Sequence, residues 1–213
     1  MRMAQECGAS SLAGCAILVL AAGASSRMRG GDKLLEEVAG HPLLRVMLER
    51  AVGVAGGPVL CTLPSPDHPR AACLDGLAVH AVFVTDSAEG MGASIRAGLA
   101  AVPKGCGAVM VLPADMPEVT ADDIGLMLSE HAAHPNALLR AADSDGMAGH
   151  PVVFPADLFP ALQAIDGDRG ARDVLKANAD RIRQVPLPDR HATTDLDTPE
   201  DWAEWRAGRS SFR

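Results

Sequence analysis

Tyrosine is missing from this 213-residue sequence, and aromatic residues make up only 3% of it. A chain so poor in rings lacks the platforms on which single-stranded nucleic acid stacks its bases. Its core has to be filled by Ala, Val, Leu, Ile and Met instead. Positive charge is also scarce: 19 Lys and Arg stand against 27 Asp and Glu, a formal net charge of −8. That balance excludes nonspecific polyanion binding, so any anionic ligand has to be held by a local cluster of cations. The five cysteines, Cys7, Cys15, Cys61, Cys73 and Cys106, form no CxxC spacing. Together with the seven histidines they give no zinc-ligand pattern. An odd count of thiols, three of them in apolar runs, points to buried cysteines in a reducing cytoplasm rather than a disulfide framework. No apolar run approaches the roughly 18 residues that a membrane span needs. No serine sits in a GxSxG context, which removes the support for hydrolase chemistry.

What is present is ordinary globular composition, 48% hydrophobic and 22% charged, in a chain long enough for one full core. The start of the chain bears a partial likeness to an export signal, because Leu12-Ala13-Gly14-Cys15 resembles a lipoprotein cleavage box. Residues 1–11 are polar where such a leader is apolar, and Arg2 is offset by Glu6. Cleavage after Ala24 would delete the first strand and half of the loop behind it, so the segment reads as structure. The expected organisation is an extension over residues 1–14, one domain over 15–207 and a tail over 208–213.

Strand-like and helix-like stretches alternate through the first two thirds. Ala16–Leu20 and Ala108–Leu112 are short apolar runs with the look of buried strands, and Pro58–Leu63 and Val79–Thr85 also read as strands. Residues 42–54 and 92–102 carry apolar side chains at helical spacing, residues 69–76 form a short helix, and Thr120 is placed to cap a helix over 121–133. Residues 137–141 and 151–154 are weaker strands. This order predicts an α/β fold: a mostly parallel sheet between two helical layers, a Rossmann-like three-layer sandwich.

In such a sheet, ligands sit at the carboxyl ends of the strands. The loop after the first strand reads AAGASSRMRGGDK, with Gly23, Gly30 and Gly31 freeing the backbone and Arg27, Arg29 and Lys33 supplying charge. Backbone donors plus cations suit a polyphosphate. Neither the Walker pattern nor GxGxxG is present.

The whole string LAAGASSRM-x-GGDKLL resembles the opening signature of the nucleotidyltransferases that attach a nucleotide to the molybdenum cofactor. The resemblance implies that Arg27 and Lys33 contact the phosphates of a nucleoside triphosphate and that Leu20, Ala21, Ala22 and Gly23 lie beside its base. Asp115, in LPADMP, matches the family's metal motif, and Mg²⁺ is the implied ion because it favours carboxylate and phosphate oxygens. Asp195 and Asp197, in ATTDLDTPEDW, resemble the closing signature. As alternate residues of an extended segment they face one way, and either could join Asp115 on the metal. Thr198-Pro199 also reads as a helix start.

Gly92 and Ser94 resemble the segment that touches base and ribose. His150, in GHPVVF, and Arg169 and Arg172, in DGDRGARDVL, resemble the acceptor side, with the arginines receiving the acceptor's phosphate and His150 outside any general-base role. The implied catalytic set is Lys33, Arg27 and Asp115. The implied reaction moves CMP from CTP to molybdopterin or its molybdenum form and releases pyrophosphate, with a molybdenum hydroxylase apo-enzyme as an eventual partner. Ala22, where the guanosine branch carries Gly, favours CTP. Two alternatives stay open: a cytidylyl-, uridylyl- or guanylyltransferase acting on a sugar or polyol phosphate, and a non-catalytic cofactor carrier, which would have no need of Lys33 and Asp115.

Overall fold

The apolar run ahead of the glycine-rich loop forms the central strand of the molecule. The structure is a computed structural model and describes residues 14–85, 90–165 and 171–210. In chain order the strands are β1 (Cys15–Leu20), the two-residue β2 (Glu37–Val38) and β3 (His41–Pro42), β4 (Val59–Leu63) and β5 (Val79–Phe83). They continue with β6 (Ala108–Pro113), β7 (Leu138–Ala142), β8 (Ala148–Pro155) and β9 (Ile182–Pro186). Seven of them make one sheet in the order β5-β4-β1-β6-β8-β7-β9, while β2 and β3 pair separately. Pairings along the sheet are parallel except for the two made by β8, which runs against both neighbours.

Both faces of β1 are buried, which is why its sequence is continuously apolar rather than alternating. Cys15, Ile17 and Val19 join one core layer with Leu44, Met47 and Leu48 of α1 (Leu43–Val54), Ile124 and Met127 of α3 (Ala121–Ala133), and Trp202 of α6 (Pro199–Ser210). Ala16 and Leu18 face the other layer, with Ile95 and Leu99 of α2 (Met91–Ala101), Leu162 of α4 (Phe159–Gln163) and Val174 of α5 (Arg172–Ala177). The three-layer arrangement expected from the sequence is therefore the one found. Thr120 forms a full capping box with Asp123 at the start of α3, each side chain bonding the other's backbone N–H. Cys15, Cys61, Cys73 and Cys106 are free thiols, and burial pushes those of Cys15 and Cys61 up to about 12.

Two elements differ from the sequence reading. β8 starts at Ala148 rather than 151, because the Gly-His-Pro opening hides its continuation into the strand. β9 is unanticipated: only Val185 of its five residues is fully buried, so it has no apolar run. Residues 69–76 take the tighter 3-10 form over Pro69–Leu74.

Candidate active site

The loop after β1 is shaped from below by a buried arginine. After Leu20 the chain turns through residues 21–25 into a 3-10 turn at Ser26–Met28. Ser25 and Arg29, which flank that turn, take left-handed backbone angles (φ 49° and 52°), and Gly30 follows at φ 97°. Such angles are unfavourable for Ser and Arg and need outside support. Arg70, only 1% exposed, supplies it from the 3-10 helix Pro69–Leu74. Its Nη1 donates to the carbonyls of Ala21 (2.6 Å) and Gly23 (2.7 Å), and its Nη2 to Ser25 Oγ (2.9 Å) and Asp32 Oδ1 (2.7 Å). Nε adds a second bond to Asp32 (2.8 Å), and Asp32 also accepts from the Leu34 backbone. Burial alone would raise the Asp32 carboxyl, but the Arg70 hydrogen bonds hold it below the ordinary carboxylate range. Ala21 N–H meanwhile donates to Thr62 Oγ1 on β4 (3.1 Å).

Lys33 leaves this clamped loop and reaches across to the end of β6. Its ammonium donates to Asp115 and to Asp197 (2.7 Å), while Arg27 pairs with the other oxygen of Asp197 (2.7 Å). Burial opposes the charge of Lys33, yet the two carboxylates raise its pKa above the usual lysine value. The closing segment is delivered here by one backbone bond, Leu196 N–H to the Asp115 carbonyl (3.1 Å), with Leu196 itself buried. Asp195 and Asp197 then point into the site on either side of it. Asp195 is pushed up by burial and by the like charges of Asp115 and Asp197, which Lys33 only partly offsets. Of the two aspartates nominated to join Asp115, Asp197 is the one that pairs with Lys33 and Arg27. Among the described residues no group of three or more Asp, Glu, His or Cys side chains is arranged as a metal cage, because Asp115 and Asp197 both turn toward Lys33.

Two cavities meet at these carboxylates. The first, about 430 Å³, is lined by Leu20, Ala22, Gly23, Arg27, Lys33 and Ser94. The second, about 390 Å³, is lined by His150, Arg140, Ile95, Val152 and Phe154 among others. Met91, Pro113, Asp115, Arg172 and Asp195 line both. Gly149 lets the second form: a Cβ there would lie 1.8 Å from the Ala192 carbonyl oxygen, so only glycine allows this close approach. Burial, and then the charge of Arg140, pushes His150 down to about 4, leaving its imidazole neutral near pH 7.

Residues 17–183 match the family described as the MobA-like NTP transferase domain. The chain belongs to this family. Among curated proteins, it is 29% identical over 126 residues to the purine catabolism protein PucB of Bacillus subtilis, covering 55% of this chain and 56% of PucB. It is 30% identical over 173 residues to the bifunctional protein GlmU of Mycobacterium sp. strain KMS, covering 77% of this chain and 35% of GlmU. The chain thus spans about half of one curated relative and a third of the other. Among solved structures, Rv0371c of Mycobacterium tuberculosis H37Rv is 25% identical with a TM-score of 0.76, over 90% of this chain and 97% of its own. Its manganese complex is 23% identical with a TM-score of 0.71, over the same shares. A CMP:2-keto-3-deoxy-manno-octonic acid synthetase complexed with CTP shares the fold at a TM-score of 0.71 and 15% identity, over 93% of this chain and all of that one.

Most residues that the sequence nominated for this NTP transferase domain come together at one edge of the sheet. Ala21 and Gly92 are exceptions: Ala21 is 1% exposed and packs into the core, and Gly92 is buried in the first turn of α2. Arg169 lies outside the described residues. Arg70 and Arg140 were not nominated. Arg70 sits at the start of the short helix read over residues 69–76, where nothing local marks it as part of a site. Arg140 lies in the weaker strand read over residues 137–141, and no motif there marks it.

Proposed function

We propose that this member of the family is a Mg²⁺-dependent nucleotidyltransferase that moves CMP from CTP to the phosphate of molybdopterin or its molybdenum-bearing form. The observation that carries this reading is the pair of cavities joined at Asp115, Asp195 and Arg172. A two-substrate transfer needs two compartments and a shared charged seam between them. The clamped glycine loop, Lys33 and Arg27 suit the triphosphate, and Ala22 and Ser94 suit the nucleoside.

The acceptor's phosphate oxygen attacks the α-phosphorus of CTP, the bond to the bridging oxygen breaks, and pyrophosphate leaves. No protein nucleophile is required. Lys33 and Arg27 neutralise charge on the leaving pyrophosphate, and Arg172 orients the attacking phosphate. Asp115 and Asp195 fit a divalent ion better than Asp115 and Asp197 do. Two hard carboxylates plus phosphate oxygens are a suitable Mg²⁺ set, and Asp195 is crowded by like charge without a cation of its own among the described residues. When bound, the ion would supply Lewis-acid stabilisation at the α-phosphate. The manganese complex of Rv0371c and the CTP complex of the synthetase support the metal and the nucleotide.

The test is pyrophosphate release with Mg²⁺ and molybdopterin, run in parallel with CTP, GTP, ATP and UTP. Release with CTP alone is the expected result. Release only with a sugar or polyol phosphate would favour the second reading. No release with any pair would leave a cofactor carrier that delivers to a molybdenum hydroxylase.

A further inference from the structure

Arg140 does not behave like a stray surface charge. It lies in the middle of β7, where the register against β8 shifts between Arg140 and Ala142. Irregularities of this kind re-aim a side chain beside a functional site. The Arg140 guanidinium is held along one edge by backbone oxygens of β8: Nε donates to Gly149 (3.3 Å) and Nη2 to Ala148 (3.1 Å). Among the described residues its Nη1 has no partner and no carboxylate bonds any part of it. Arg172 makes no hydrogen bond or ion pair among the described residues either, and it faces the same cavity. Arg140 feels both its burial and its neighbour: desolvation and then the charge of Arg172 lower its pKa. A chain with a net charge of −8 has thus set two unneutralised guanidinium groups in one pocket. Partly buried charge without a counter-ion is costly unless a ligand supplies one.

Ile95, Val111, Val152 and Phe154 give the cavity its apolar wall, with Met91 and Met147 41% and 64% exposed and His150, Thr193, Asp115 and Asp195 the other polar groups of the lining. Flexible thioethers shape themselves to a ligand body without demanding polar groups from it. We infer that Arg140 and Arg172 form an anion subsite that selects the second substrate by a phosphate-type dianion carried on an apolar body, with Arg140 the specificity-determining residue. This rests on reading the second cavity as the acceptor's. Arg172 lines both cavities, so the pair holds the anionic group at the seam where the nucleotide's phosphates lie, and charge also sets the acceptor's orientation.

The probe is phenyl phosphate, a dianion on a flat apolar ring, titrated calorimetrically into the full chain saturated with Mg²⁺ and α,β-methylene-CTP, which cannot transfer its nucleotide. Wild type should bind it, and phenol should bind far more weakly. Arg140→Gln should weaken phenyl phosphate by about ten- to a hundredfold, the range for hydrogen bonds to charged groups. Arg140→Lys should fall between the two, and affinity for the nucleotide analogue should stay within about twofold in each variant. Equal binding by wild type and Arg140→Gln would overturn the inference. So would no binding by wild type, or a parallel loss of nucleotide affinity in both variants. If the nucleotide analogue fails to bind wild type while phenyl phosphate still depends on Arg140, the CTP reading falls and the anion subsite stands.

Discussion

At the scale of single residues, charge pairing rather than burial organises the site. Lys33, Asp115 and Asp197 are each 15–17% exposed at the side chain, so their interactions are only partly screened by water. Replacing Asp115 by Asn keeps the volume and removes the charge. Turnover should drop by about 10²- to 10³-fold, the usual cost of losing one group that stabilises transition-state charge. The melting temperature should stay close to wild type. Normal pyrophosphate release from Asp115→Asn would end the metal assignment.

Arg70 is the opposite case, structural first and functional through the loop it holds. Arg70→Met strands Asp32 and two carbonyls and should cost about 3–5 kcal/mol in urea unfolding. The Asp32 contribution has a definite pH signature, because its folded pKa is lowered. Its stabilisation is complete above the unfolded value of about 4 and is lost as pH falls through the folded pKa. The stability gap between wild type and Asp32→Asn should therefore be full at neutral pH and close only in more acidic solution. A gap that grew on acidification would contradict the ion pair. Lys33 and Asp115 were legible in the sequence because each stands in a compact motif beside a strand end. Arg70 was not, since its contacts bridge 38 to 49 residues of chain and nothing local marks them.

At the scale of elements, strands were legible where the sequence is apolar, including β5, which buries only Val82 fully, and illegible where it is polar. β1 and β6 have no exposed residue and read plainly as apolar runs. β9 buries one residue fully and was not anticipated. The reversal of β8 was equally hidden, because strand direction is fixed by pairing across the sheet and not by any residue pattern. Helix starts were more visible, since capping is local chemistry. Thr198 Oγ1 accepts from Asp201 N–H (3.1 Å), and Asp201 Oδ2 accepts from Thr198 N–H (2.8 Å) and Asp197 N–H (3.1 Å). The cap of α6 therefore also fixes the backbone of the residue that pairs with Lys33 and Arg27. Thr198→Ala should lose about 1 kcal/mol of stability. It should also raise KM for the nucleotide while leaving kcat nearly unchanged, because Asp197 loses orientation and not charge. A drop in kcat at constant KM would place the effect elsewhere.

At the scale of the whole molecule, the site draws on segments scattered along the chain: the loop after β1, the start of α2, the end of β6 and the stretch before α6. Their meeting at one sheet edge follows from the parallel order, which brings the carboxyl ends of β1 and β6 side by side. A ligand that touches all of them should tie them together and oppose unfolding of the whole domain. With CTP and Mg²⁺ at a hundred times the dissociation constant, mass action adds about 2.7 kcal/mol. For a chain of this length that raises the melting temperature by roughly 5–10 °C. Chelating the metal should remove part of the rise and leave the part due to the glycine loop and Lys33. The variants separate the two parts. Asp195→Asn should melt alike with and without Mg²⁺ at saturating CTP, because the metal-dependent part needs that carboxylate. Lys33→Met should lose most of the rise under both conditions, since it removes the cation at the seam between loop and β6. If Asp195→Asn kept its full response to Mg²⁺, Asp197 would have to be the metal's second carboxylate, and the pairing of Asp197 with Lys33 and Arg27 would have to open when the nucleotide binds.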